Sequence, residues 1–165
     1  MATCLILITG SLVIDECTST VNIKIPINKK ASRESIDIAD WKPTTYYAVN
    51  NLDGVIMTIK KGTVPTTKLT VTIVNNSNNE CTYGDFFDLE KKINRIWYKV
   101  PVSIEGDYGF HLIGYGVSPG YAREWTVDWS HLYRALEAGD YRIIKGVSGT
   151  EEYTNYYLAA EFTIN

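Results

Sequence analysis

Histidine is scarce in this sequence, with two in 165 residues, and cysteine nearly so, with three. The cysteines stand at 4, 17 and 81, with no C-x-x-C pair and no Cys/His cluster among them. A structural zinc needs four such ligands at short spacings, so neither a metal nor any other cofactor is expected. Basic blocks are also missing: 16 Lys and Arg are scattered among 19 Asp and Glu, for a net charge of -3. Without a basic face to meet phosphates, a nucleic-acid partner is not expected. No G-x-S-x-G elbow occurs, and no apolar run approaches the ~20 residues of a transmembrane helix.

What is present describes a globular chain. Hydrophobic residues make up 45% and charged residues 21%, and the length fits one domain with extra segments. Near the start, Cys4 to Ile14 is apolar but for Thr9, Gly10 and Ser11. As a helix this run would reach only about 16 Å, too short for a bilayer of about 30 Å but suited to the core of an export signal. The alternative is a buried first strand, since "LILITGSLVI" is rich in β-branched residues. The run followed by Cys17, Thr18, Ser19 and Thr20 resembles a bacterial lipoprotein signal, in which a cysteine is acylated after cleavage. That pattern has small residues before the cysteine, where this chain has Asp15 and Glu16, and no Lys or Arg precedes Lys24. Residues 1–17 are therefore read as a leader and 18–53 as a spacer, with a short helix in "SRESIDIADW" ended by Lys42-Pro43. The spacer is expected to enter the domain near Tyr46 to Val49.

From Val55 the chain alternates apolar and polar residues in short runs bounded by turn residues. "VIMTIKK", "KLTVTIVNN", "FFDLEKKI", "IWYKVPV", "FHLIGYGV", "REWTVDW", "RIIKGV" and "YYLAAEFTI" all read as strands. Leu69, Val71 and Ile73 share one face, as do Trp125, Val127 and Trp129, and as do Leu158, Ala160, Phe162 and Ile164. Asn94-Arg95 makes a tight connection between two of the runs. "DWSHLYRAL" is the one helical candidate, about two turns long, with Asp128 or Ser130 as its cap. Seven or eight strands predict an all-β antiparallel sandwich or barrel with a helical turn near 129–136.

The stretch "LEAGDYRI" narrows this reading. Leu136, Gly139 and Tyr141 resemble the tyrosine corner of immunoglobulin-like sandwiches, where a phenol bonds backbone at an arch between two sheets. With "TVTIVNN", "TVDWSHLYRALEAGDYRIIKGV" and "YYLAAEFTI", residues 54–165 resemble a bacterial immunoglobulin-like domain family found in predicted lipoproteins and surface proteins of Gram-positive bacteria. The resemblance implies an immunoglobulin-like antiparallel β-sandwich. Ile143 stands two residues after the corner tyrosine, where antibody domains carry a disulfide cysteine, so aliphatic contact with the strand of Leu69, Val71 and Ile73 is expected there. Trp97, Trp125 or Trp129 supplies the large core aromatic.

Polar residues that catalyse elsewhere have structural explanations here. Ser130 or Ser148, His131, and Asp128 or Asp140 compose a nominal Ser/His/Asp set, but capping accounts for Asp128 and Ser130. His111 reads as a strand-face residue. Asp88 and Glu90 share a strand face and are expected to make solvated pairs with Lys91, Lys92 and Lys99. Arg142 is expected to face outward and brace Glu161 or Glu124. Tyr108, Tyr115, Tyr121 and Tyr156 are candidate binding aromatics. The expectation is a non-enzymatic, monomeric interaction or spacer module on a bacterial surface. Cys17 is its lipid anchor and only membrane attachment, and its partner is an unknown protein or a cell-wall glycan. The alternative is a carbohydrate-binding module using exposed tyrosine and tryptophan.

Overall fold

Strict alternation favours extended chain buried on one face, and the computed structural model carries it out as nine strands and one helical turn. It describes residues 41–64, 66–149 and 156–165. The leader, Cys17 and most of the expected short helix lie outside the described residues. The strands are β1 (Val55–Ile59), β2 (Lys68–Asn75), β3 (Cys81–Tyr83), β4 (Asp88–Ile93), β5 (Ile96–Lys99), β6 (Tyr115–Val117), β7 (Ala122–Asp128), β8 (Gly139–Ser148) and β9 (Tyr156–Ile164). The helix α1 (Ser130–Tyr133) joins β7 to β8.

Two antiparallel sheets form the sandwich. One has the order β1-β2-β7; the other runs β5-β4-β8-β3-β6, with β9 on the far side of β8. Leu69, Val71, Ile73 and Val127 of the first sheet, and Trp129 just beyond the end of β7, are buried with Leu89, Tyr141, Ile143, Leu158 and Phe162 of the second. Each such side chain contributes about 1.5–3 kcal/mol on burial. Ile143 therefore supplies as an aliphatic contact what a disulfide of about 2–4 kcal/mol supplies elsewhere. Trp129 fills the large aromatic position, stacked on Phe162 at 5.7 Å with its indole N–H donating to the Thr66 carbonyl.

The architecture departs from the sequence expectation in four places. The described residues form nine strands rather than seven or eight, because β3 is a short separate strand ahead of β4. "FHLIGYGV" pairs only at Tyr115–Val117, where β6 meets β3, so its front half is loop and His111 is not on a strand face. The helix has one turn rather than two, since Arg134 turns to φ 58° and ends it. No side chain caps that helix in the usual sense: Trp129 is the N-cap, while Asp128 accepts from the Ser130 amide at 2.9 Å.

Two connections follow from local chemistry. Asn94 and Arg95 both have positive φ (50° and 70°), as a two-residue turn between right-twisted strands demands. Gly54 (φ 73°) lies so close to the Ser77 backbone that an added Cβ would sit 2.9 Å from its nitrogen.

Ordered contacts also begin before residue 54. Pro43 forms a bridge with Tyr98, and Thr44 N–H donates to the Trp97 carbonyl at 2.9 Å, extending the sheet beyond β5. Six residues on, Asn50 N–H donates to the Tyr157 carbonyl, and the Asn51 and Asn50 side chains accept from the amides of Tyr157 and Ala159. Residues 42–51 thus form a strap running from the β5 edge of the sheet to its β9 edge. Both edges would otherwise offer unpaired backbone groups to a second chain.

Candidate functional site

The chemistry-bearing groups gather in two places, one inside the sandwich and one under the strap. The inner one begins with register. β8 pairs with β4 as far as Ile144 opposite Asp88, and with β3 from Val147 opposite Tyr83. Four residues, 84–87, therefore face two, Lys145 and Gly146, and the extra chain bulges out of the ladder. Phe87 turns into the core against Tyr133 and Trp125, while Phe86 turns out and is 47% exposed.

A bulge leaves backbone carbonyls without ladder partners. Lys145 answers this from within: its ammonium donates to the Phe86 carbonyl at 2.9 Å. It lies over the Trp125 ring at 3.5 Å from the centroid and near that of Tyr83 at 5.4 Å. The residue is 0% exposed. Burial pulls its pKa down to about 7, with nearby Asp85 partly opposing the shift.

Asp85 links this interior to the surface. Its carboxylate lies 3.5 Å from His111 Nδ1, and its hydrogen bond with Tyr115 raises that phenol's pKa. Arg123 covers the other side of Tyr115, 5.1 Å from the ring centroid. Tyr83 beneath is raised mainly by burial.

The second cluster lies on the outer face of the larger sheet. Glu90 is 0% exposed and accepts from Arg142 at 2.7 Å (Nε) and 2.6 Å (Nη2). Arg142 also donates to the Thr44 hydroxyl of the strap at 3.2 Å and lies 4.6 Å from the Trp97 centroid. Glu90 Oε1 has no partner among the described residues. The strap's Tyr46 donates to Asp88, packs edge-on against Tyr157 and carries Lys99 over its ring; its pKa is raised, by burial first and by Asp88 second.

These facts correct two expectations. Arg142 is braced by Glu90, not by Glu161 or Glu124, which pair with Lys92 and Lys60 instead. Glu90 is not a solvated charge, because the strap closes over it; Asp88 does pair with Lys99, at 3.5 Å. Removing one member of a buried pair costs about 3–5 kcal/mol, so this is a scaffold contact of consequence.

The residues singled out in the sequence fall in separate places. Leu136 is buried, Gly139 takes φ 152°, and the Tyr141 hydroxyl donates to the Glu137 carbonyl at 3.0 Å across the arch between the sheets. Tyr108 packs edge-on against Phe110, Tyr115 packs on Tyr83, Tyr121 borders a cavity of about 280 Å³ with Arg123, and Tyr156 borders another of about 500 Å³ with Asn51, Asp53 and Asn79. No ring contact joins any two of these four. Asp128 is held by Ser130, while Asp140 accepts from Thr163 at the opposite end of β8 from Ser148, so no hydrolytic triad is assembled from them. Among the described residues, no three His, Cys, Asp or Glu gather to hold a metal.

No motif marks Lys145 in the sequence, but its position in the strand does. It shares parity with Tyr141 and Ile143, so alternation alone turns it inward. Its free-base fraction near neutrality is a nucleophile's property, but it lines neither cavity and its nitrogen is held by a carbonyl.

Compared with known proteins, residues 51–163 match the family model described as bacterial Ig-like domain. None of the curated proteins matches the chain. Among solved structures, the ASH/PapD-like domain of human CEP192 (PapD-like domain 7) is similar at 11% identity and a TM-score of 0.30, over 72% of this chain and 94% of that one.

Proposed function

The chain belongs to the bacterial Ig-like domain family, and from that premise we propose that it serves without catalysis, as an interaction or spacer module of a bacterial surface protein. Family membership supports the surface and spacer reading. The observation that carries the non-catalytic part is how the buried charges are used. Lys145 holds the Phe86 carbonyl, and Glu90 and Arg142 hold each other and the strap. These groups stabilise the scaffold, and none of them lines either of the two cavities described above.

In this reading residues 1–17 direct export, Cys17 carries a lipid in a Gram-positive envelope, and residues 18 to about 41 hold the sandwich off the membrane. Palmitate labelling of the full chain against Cys17→Ala tests the anchor: labelling lost in the variant is expected, and equal labelling refutes it. Protease shaving of intact cells tests the address. Release of the sandwich is expected, and complete protection under conditions that cleave other surface proteins overturns surface display.

A further inference from the structure

The loop between β5 and β6 and the bulge at 84–87 together expose several apolar side chains. Phe110 bridges them, with its ring 5.3 Å from Phe86 and 6.2 Å from Tyr108. The loop's return rests on the bulge: a Cβ on Gly84 would lie 3.4 Å from the Ile113 carbonyl. Leu112 is 106% exposed, Tyr108 50% and Ile113 49%. Single exposed apolar side chains are ordinary, but several on one long loop without regular structure and on the bulge it rests on mark a contact surface. Phe86 is held ready for contact, because Lys145 fixes its carbonyl from inside.

The charge beside the patch selects the partner. Glu105 and Asp107 sit exposed in the same loop, and neither pairs with a cation among the described residues. Asp85 is engaged by His111. Two free carboxylates beside an apolar patch repel an anionic lipid surface and favour cationic chain. We infer that Phe86, Tyr108, Leu112 and Ile113, flanked by Glu105 and Asp107, form a docking surface for a protein segment whose apolar side chains are flanked by lysine or arginine. The inference rests on the interaction reading above and adds to it the place and the partner's chemistry.

The test pans a phage-displayed random dodecapeptide library against the full chain, with Leu112→Glu and Glu105→Lys/Asp107→Lys as comparison proteins. Because these side chains are exposed, unchanged melting is the check that each variant folds. The expected result is enrichment of apolar peptides flanked by Lys or Arg, with binding weakened roughly tenfold by either variant and by added salt. No enrichment, or enrichment indifferent to Leu112→Glu, overturns the surface. Binding to neutral phosphatidylcholine vesicles, or a dimer that Leu112→Glu abolishes, would assign the patch to a membrane or to a second copy and also overturn it. A native partner captured equally by wild type and Leu112→Glu removes this surface and leaves the interaction reading standing. A chain that captures no native partner but still selects such peptides through Leu112 does the reverse.

Discussion

Lys145 is the residue whose cost is easiest to measure. Its pKa is about 7 in the folded chain against 10.5 for a free lysine, so between those values the unfolded chain binds more protons. Stability from this group therefore rises with pH from about 7 to 10.5, and below about 7 the full penalty of charging it in the core is felt. Other groups titrate in the same range, so the useful quantity is a difference between proteins. Denaturant melts of wild type and Lys145→Met across this window should give curves that diverge, with only the wild type gaining the lysine's rise; parallel curves would show that the lysine titrates normally. Tyr141 offers a simpler test. Its hydroxyl is buried, its pKa is pushed up to about 12 by that burial and by Glu137, and its bond to the Glu137 carbonyl is lost in Tyr141→Phe. The variant should be about 1 kcal/mol less stable, visible as a lower denaturant midpoint with an unchanged slope, and an unchanged midpoint would deny the hydroxyl any net role.

Among the elements, the strands with one wet face were legible from alternation, and those covered on both faces were less so. Leu69, Val71 and Ile73, or Leu158 through Ile164, point inward as their spacing says. β8 carries five consecutive buried residues, Tyr141 to Lys145, because strap and core cover its two sides. Alternation had turned Arg142 outward correctly, but nothing local says that the chain 98 positions earlier, at Thr44, returns to cover it. Phe110, His111 and Leu112 alternate as a strand would, yet the apolar residues here serve a loop, a distinction set by which partner strand is present. The arch before β8 is local by contrast: Gly139 and Tyr141 lie two positions apart, and the Tyr141 hydroxyl reaches only as far as the Glu137 carbonyl. The strap yields its own prediction. A chain begun at residue 54 should melt lower than one begun at 41, and amide exchange at Tyr157 and Ala159 should quicken, since Asn51 and Asn50 no longer accept from them. Equal melting and exchange would make the strap a passive appendage.

At the scale of the whole molecule, the described residues of the sandwich are held by packing with no disulfide among them. Cys81 is buried, its Sγ 3.9 Å from the Val117 carbonyl, and burial raises its thiol pKa. It is the only cysteine after residue 40, so the melting temperature of residues 41–165 should not change with dithiothreitol. A drop on reduction would mean that two chains are joined through it. The same independence makes the faces of the sandwich depend on counting alone. The bulge inserts two residues more than β8 supplies opposite it, and two is a full period of a strand. Tyr83 before it and Leu89 after it therefore stay in phase, both inward. Lengths here are allowed in pairs: deleting two residues from 84–87 should leave a foldable sandwich that no longer displays Phe86. Deleting one should swap the faces of β4, driving Asp88 and Glu90 into the core, and yield no soluble, cooperatively melting protein. A surface feature that can be gained or lost only in whole periods can change in length without disturbing the sheet that carries it.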